Sequence, residues 1–284
     1  MKDPSAMAGP TIRELFAGGV AELEKRGVES AASDVKLLLS EVCGASPAEA
    51  ACSDRAATVG ETERFRDYLR RRIGGEPVQY ILGHAYFYDL ELEVTPAVLI
   101  PRPETEVLVD RVLDILPTGG ALLDLGTGSG AIALSVARRR RDAQVTAADI
   151  SGAALEVARR NARKVGAEVE FVLSDLFSAL ADRRFDVIAA NLPYVPEEDR
   201  PLLAPEVALC EPAAALFAPD GGFAVIDRAL EALPEHLVPG GFAIFELDPR
   251  QASRAAAKLE KLGFAAKIRR DLAGRERFAE GVKR

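Results

Sequence analysis

Two short runs carry residues whose types and spacing suit chemistry. The first is Asp124-Leu-Gly126-Thr127-Gly128-Ser129-Gly130-Ala131. Glycines at alternate positions let a backbone turn sharply and approach a ligand with no Cβ in the way. The run follows an apolar stretch and leads into a helical pattern, which puts a nucleoside-type ligand at a helix N-terminus. Asp149, at the end of the next apolar stretch, stands where a carboxylate accepts from ribose hydroxyls. The run also satisfies the loose GxGxxG/A dinucleotide pattern, with Ala131 in the last position. The second run, Asn191-Leu192-Pro193-Tyr194, follows the apolar stretch Phe185–Ala190. Leu192 precedes Pro193 and is pushed to extended conformations, which presents its carbonyl instead of folding it into a helix. That carbonyl and the Asn191 side-chain oxygen make two acceptors, a match for an NH2 group with two donors. Tyr194 adds an aromatic face to hold a planar amide or base. Asn and Pro after a strand commonly mark a turn and nothing more. With the glycine run and Asp149 ahead of them, in this order, the turn-only reading is the minor one.

These runs need a sheet edge to stand on, and the chain supplies one. From Ala121 onward strand and helix patterns alternate: strands at Ala121–Leu125, Gln144–Ile150, Val169–Leu173, Phe185–Ala190 and Phe242–Leu247, with helices at Ile132–Arg141, Ala153–Val165, Phe223–Leu233 and Arg250–Leu262. The last residues read as further strands. Repeated strand–helix units predict a mostly parallel α/β sheet, doubly wound, with helices on both faces. Ligands then bind beyond the carboxyl ends of the strands, at the switch point. Ahead of this, residues 11–73 carry helical periodicity only, opened by a capping box of Thr11 with Glu14, so a small N-terminal helical bundle is expected. The Arg70–Arg72 cluster reads as a solvated helix end that favours the C-terminal dipole. Residues 76–100 read as extended, with a hairpin around Tyr86–Val94, and Pro96, Pro101 and Pro103 punctuate a rigid connector. A helix from Glu104 to about Leu116 follows. The expected organisation is a helical domain at 1–75, a hairpin and connector at 76–103, and an α/β domain at 104–284. Residues 1–9, with a second Met at Met7, read as a flexible start.

Composition narrows the function classes. The 284 residues are 48% hydrophobic and 28% charged, which supports one or two cores and excludes a mostly disordered chain. A formal net charge of −8 argues against whole-chain affinity for nucleic acid. The absence of Trp argues against broad base-stacking platforms. Cys43, Cys52 and Cys210 cannot all pair, and with only His84 and His236 beside them no zinc spacing exists, so no metal is expected. No signal peptide and no apolar run of about 18 residues is visible, so a cytoplasmic protein is expected.

The two runs together resemble class I S-adenosylmethionine-dependent methyltransferases that modify planar amino groups, whose motif is (N/D)PPY. Ile100-Pro-Arg-Pro-Glu-Thr-Glu106, Pro77-Val-Gln-Tyr-Ile-Leu-Gly83 and Ser174-Asp-Leu-Phe177 narrow the resemblance to the peptide-chain release factor N5-glutamine methyltransferases, the PrmC/HemK family, over residues 11 to 281. The resemblance implies a Rossmann-like seven-stranded sheet. It also implies S-adenosyl-L-methionine as cofactor, S-adenosylhomocysteine as product, and the glutamine of the Gly-Gly-Gln motif of class 1 release factors as substrate. Carried over by position, Gly126, Thr127, Gly128, Ser129 and Gly130 line the methionine and ribose moieties. Asp149 takes the ribose hydroxyls, and Asp175 and Leu176 border the adenine. Asn191 touches both cofactor and substrate, and Asn191, Leu192, Pro193 and Tyr194 hold the glutamine. Arg102 and Glu104 stand near the substrate, or simply start a helix with an acidic first turn. Leu192 replaces the family's first Pro, and Leu176 stands where some relatives carry an aromatic. The helical domain is the expected recognition half of a monomer that contacts no nucleic acid directly.

Three rival readings are defined. A DNA or RNA amino-group methyltransferase would use the same two acceptors on adenine N6 or guanine N2, and salt-sensitive nucleic-acid binding would reveal it. An NAD-dependent oxidoreductase shares the glycine run but leaves Asn191–Tyr194 unexplained. A binding module that keeps a cofactor pocket would bind without turnover.

Overall fold

Three helices near the N-terminus begin with one reciprocal device. Thr11, Ser46 and Thr58 each accept from the backbone N–H three residues on, while Glu14, Glu49 and Glu61 reach back to the cap's own N–H. These caps open α1 (Ile12–Glu24), α3 (Pro47–Cys52) and α4 (Val59–Ile73), with α2 (Ala31–Cys43) between the first two and closed by a left-handed Gly44. The computed structural model describes residues 9–284, so the expected flexible start lies outside the described residues apart from Gly9. Leu23, Val35, Leu38, Leu39 and Phe65 form the core of this helical unit.

Two expectations need correcting here. Residues 76–83 are not extended: α5 (Val78–Leu82) is a short helix, because Val78 and Ile81, three apart, bury against the same helical core. Extended structure starts at His84. The compact unit accordingly runs to Gly83, and it also takes in the short helix Pro205–Cys210. Arg72 is not a solvated helix end. It is 3% exposed, donates from Nε to Asp34 at 2.7 Å, and reaches Glu206 of that short helix from Nη2 at 3.0 Å. A guanidinium withdrawn from water needs such partners, and the double pairing explains why 205–210 joins this unit.

The second unit holds His84–Ala204 and Glu211–Arg284. A hairpin opens it, β1 (His84–Phe87) against β2 (Leu90–Glu93). Then come α6 (Thr105–Ile115), β3 (Ala121–Leu125), α7 (Ala131–Arg139), β4 (Gln144–Asp149), α8 (Gly152–Val165), β5 (Glu170–Leu173) and β6 (Phe185–Ala190). The alternation breaks over 195–222, which folds as short pieces: β7 (Val195–Pro196), a 3-10 turn at Glu197–Leu202, α9 (Pro205–Cys210, paired to Arg72 as above), α10 (Ala213–Leu216), β8 (Phe217–Ala218) and α11 (Pro219–Gly222). Regular structure resumes with α12 (Ala224–His236), β9 (Leu237–Glu246), α13 (Ala252–Lys261), β10 (Phe264–Arg270) and β11 (Glu276–Lys283). Among the described residues no helix is long and apolar enough to cross a membrane.

The seven-stranded sheet has the order β10-β11-β9-β6-β3-β4-β5, with β9 through β5 parallel and β11 antiparallel to both neighbours. Alternate residues of each central strand feed opposite faces. Leu123, Ile188 and Phe245 pack towards α12 and α13, while Leu122, Val187 and Ile244 pack towards α6 and α7. The chain runs outward from β3 to β5 and then crosses back to place β6 on the other side of β3. That reversal sets the carboxyl ends of β3 and β6 side by side with their loops diverging, which opens a crevice at the switch point.

Asn161 of α8 fixes one wall of that crevice. Fully buried, it accepts from the Glu93 N–H at 2.6 Å and donates to the Glu93 carbonyl at 3.0 Å and the Ser129 carbonyl at 2.9 Å. It thus ties the hairpin to the glycine run. Removing it breaks three hydrogen bonds and strands buried backbone groups, so Asn161→Ala is expected to lower unfolding free energy by about 2–4 kcal/mol. Urea denaturation of the variant measures this, and an unchanged midpoint would contradict the assignment.

Candidate active site

The turn after β3 is built from its own sequence. The Gly126 and Thr127 N–H groups both donate to the Ala148 carbonyl of β4, at 2.8 and 3.0 Å. Gly126 takes φ +78, and a Cβ there would stand 2.8 Å from Leu192 Cδ2. Left-handed backbone and close approach together require glycine. Gly128, at φ +55, has open space where its Cβ would be and donates its N–H to Asp149 Oδ2 at 2.9 Å. Gly130, at φ +88, N-caps α7. Thr127 Oγ1 and the Ala133 N–H both donate to Asp124 Oδ2, at 2.6 and 3.0 Å, so a fully buried carboxyl pins the turn from below.

A cavity of about 300 Å³ opens above this turn. It is lined by Gly126, Thr127, Gly128 and Ser129 from the turn, by Asp149 from β4, by Asp175 and Leu176 from the loop after β5, and by Asn191, Leu192 and Pro193 after β6. Arg102 of the connector also lines it. Three sequence-selected residues do not: Gly130, Glu104 and Tyr194. Gly130 serves the helix cap. Glu104 faces outward and pairs with Arg275 at 3.1 Å. Tyr194 packs on the apolar core, and its carbonyl accepts from Gln251 Nε2 at 2.9 Å. Gly222 lies so close that a Cβ there would fall 2.0 Å from that same carbonyl.

The strand pairing of β6 ends at Ala190, whose partners are Leu125 and Phe245. The Leu192 carbonyl therefore lies past the ladder, while the Leu192 side chain is buried against Gly126. Asn191 donates from Nδ2 to Thr105 Oγ1 at 3.2 Å, and Thr105 donates onward to Glu246 Oε2 at 2.7 Å. With its NH2 so engaged, the Asn191 amide keeps its oxygen as the remaining acceptor. Sequence reading missed Thr105 and Glu246. The one signal was an acid, Glu246, at the end of the apolar run Phe242–Leu247. It also missed Glu211, which is 5% exposed, accepts from the Ile100 N–H at 3.3 Å and pairs with Arg102 at 2.5 Å. This carboxylate holds the connector against the cavity.

The far end of the cavity is apolar. Ile150 lines it and is 65% exposed, next to the Asp149 carboxylate. Leu176 sits at φ +50, a left-handed conformation that costs a branched side chain energy, and its carbonyl accepts from Ser174 Oγ at 2.7 Å. Asp175 pairs with Arg228 at 2.8 Å on the rim. A carboxylate beside apolar side chains, next to an open glycine turn, fits a nucleoside: ribose hydroxyls to the acid, a planar base over the apolar wall. Among the described residues no cluster of three His, Cys, Asp or Glu is arranged to hold a metal ion.

Burial raises three carboxyls along this edge. Loss of water pushes Asp124 up to about 7, against the lowering by the Thr127 and Ala133 bonds. The same cause pushes Glu246 up to about 7 and raises Asp149. The ordinary values are about 4, so between about pH 4 and 7 the folded chain holds more protons than the unfolded one. The stability that Asp124 and Glu246 contribute is complete below about pH 4 and is lost as pH rises through about 7, and Asp149 adds to it in the same direction. The melting temperature is therefore expected to fall from pH 5 to pH 8, with a shallower slope in Asp124→Asn. Scanning calorimetry across that range measures both slopes, and identical slopes would refute the assignment of Asp124.

Comparison with known proteins agrees with this geometry. Residues 103–238 match the model of the methyltransferase small domain, and residues 14–83 match that of the PrmC N-terminal domain. The release factor glutamine methyltransferase of Geobacter sulfurreducens is 38% identical over 255 residues, 89% of this chain and 90% of the relative. That of Deinococcus radiodurans is 37% identical over 270 residues, 94% and 96% respectively. The crystal structure of a methyltransferase from Pyrococcus furiosus matches with a TM-score of 0.54 at 23% identity, covering 69% of this chain and 90% of that one, a likeness of fold. The cavity at the switch point thus belongs to a methyltransferase domain, and the chain as a whole belongs to the release factor glutamine methyltransferase family.

Proposed function

We propose that this protein transfers a methyl group from S-adenosyl-L-methionine to the side-chain amide nitrogen of the glutamine in the Gly-Gly-Gln motif of class 1 peptide-chain release factors. What supports the reading is that Asn191 and Leu192 line the cavity beside the glycine turn, past the last paired residue of β6, and that Thr105 takes the Nδ2 end of Asn191, which leaves the Asn191 side-chain oxygen and the Leu192 carbonyl as the acceptors this segment can offer. The family relatives, which are release factor glutamine methyltransferases, support an amide of a protein over a nucleobase as the substrate.

S-adenosylmethionine, when bound, supplies a methyl group made electrophilic by its sulfonium. The chain's own residues do the rest. The Gly126–Ser129 backbone allows close approach, Asp149 accepts from the ribose hydroxyls, and Ile150, Asp175 and Leu176 border the base. An amide nitrogen is a poor nucleophile because its lone pair is delocalised. Asn191 Oδ1 and the Leu192 oxygen accept from its two N–H groups, which turns the nitrogen towards the methyl. The same oxygens would stabilise the positive charge that develops on nitrogen as the methyl–sulfur bond gives way, with S-adenosylhomocysteine as the leaving group and the surplus amide proton released to solvent. Orientation and fixed dipoles of this kind can lower a barrier by on the order of 10 kcal/mol without a strong general base. Pro193 holds Leu192 extended, and Tyr194, whose hydroxyl burial pushes up to about 12 and so keeps protonated, completes the rigid turn. Arg102, held by Glu211, offers a cation at the cavity mouth for the substrate backbone. The helical unit is the recognition half, and the protein works as a cytoplasmic monomer.

Incubation with labelled S-adenosylmethionine and a purified release factor, followed by mass mapping, is expected to place one methyl group on the Gly-Gly-Gln glutamine. Asn191→Ala is expected to lose transfer by about 10²-fold or more, with cofactor affinity reduced far less. Label on another residue, or an equal loss of transfer and affinity, would overturn the reading.

A further inference from the structure

Glu246 is 1% exposed, and Thr105 is 4% exposed. Neither belongs to the glycine turn or to Asn191–Tyr194. They meet across 141 residues of sequence, from the end of β9 and the start of α6, where the Thr105 hydroxyl bonds to Glu246 and the Asn191 amide bonds to that hydroxyl. We propose that Glu246 and Thr105 are positioning residues, a relay that fixes which end of the Asn191 amide faces the cavity. The inference rests on the function proposed above for Asn191 and adds to it a device that sets that residue's polarity.

The logic is one of donor count. An ionised carboxylate can only accept, so the single Thr105 proton must point to Glu246. The Thr105 oxygen then has only lone pairs to offer Asn191, and only the Nδ2 end of an amide can satisfy them. The Oδ1 end is thereby turned to the cavity, where a substrate N–H needs an acceptor. A protonated Glu246 no longer compels this order. The hydroxyl can then donate to Oδ1, and a flipped amide offers the substrate a donor against its own donors.

Glu246 is placed to make the switch within the working range of the protein. Burial pushes it up to about 7, opposed by the Thr105 bond and by the positive charge of Arg277 on β11 and Arg102 on the connector, with Glu104, just ahead of α6, adding to the rise. Tyr194 after β6 also faces Glu246, and Asp248 past β9 faces Tyr194 in turn. Methyl transfer should therefore lose rate as pH falls through about 7, through the orientation of Asn191 and not through loss of cofactor.

Two readouts test this. In 15N-labelled protein without substrate, the Asn191 side-chain N–H signals are followed from pH 5.5 to 8.5. They are expected to shift with a midpoint near 7 in the unaltered protein and to stay flat in Glu246→Gln and Thr105→Val. In transfer assays, Thr105→Val is expected to lower kcat by at least about tenfold, with cofactor Kd within about twofold, and to flatten the acid limb. Thr105→Ser, which restores the hydroxyl, recovers both. Signals that ignore pH, or a Thr105→Val enzyme with unaltered kcat and acid limb, overturn the relay whatever the substrate is. Signals that titrate as expected in a protein that leaves glutamine unmodified support the relay and refute the proposed function instead.

Discussion

A strand buried on both faces spends its backbone groups on its neighbours, and β6 pairs on both sides from Val187 to Ala190. The next two residues break that pattern. Asn191 is half-buried and Leu192 buried, both line the cavity, and the ladder has ended. Backbone past the end of a ladder no longer has the strand bonds that fixed it, so the surrounding chain must hold it in place. Pro193 keeps Leu192 from folding into a helix, the Leu192 side chain wedges against Gly126, and Gln251 clamps the Tyr194 carbonyl to the Gly221 carbonyl with bonds of 2.9 Å each. Much of the architecture around the switch point serves to keep this short segment extended.

The parts of this site that local chemistry dictates could be read directly from residues. Alternating glycines after an apolar run need a sharp turn, an acid at the end of the next strand needs a ligand or a cap, and Thr11–Glu14 needs a helix. The parts that depend on contacts distant in sequence could not. Thr105 and Glu246 are 141 residues apart, and Glu211 reaches Arg102 across 109, so no window of sequence contains either pair. Residues 78–82 misled for a different reason. A five-residue stretch is too short for periodicity to separate strand from helix, and burial of Val78 and Ile81 in the helical core decided it. Tyr194 shows the limit of reading roles from a motif. Its backbone completes the turn, but its ring packs on the core and does not line the cavity.

The Leu at position 192 is instructive. The family pattern has proline there, which fixes φ and removes an N–H. Leucine gives up that stiffness but fills the space above Gly126, where its Cδ2 comes within 2.8 Å of a Cβ position that glycine leaves vacant. Side-chain packing thus replaces ring closure as the restraint on the segment. The carboxyls Asp124, Asp149 and Glu246, all raised by burial, add a second feature of the site. On the function proposed here, an edge with three such groups suits a ligand that brings positive charge on sulfur and on an amino group, because a nearby cation favours their ionised forms.

The central claim is geometric, and a crystal structure with S-adenosylhomocysteine and a Gly-Gly-Gln peptide tests it most directly. The account predicts the glutamine amide nitrogen at hydrogen-bond distance, about 2.9 Å, from both Asn191 Oδ1 and the Leu192 oxygen, with its remaining side turned to the sulfur. A glutamine held elsewhere in the cavity, or an Asn191 amide that presents Nδ2 to it, would contradict the account.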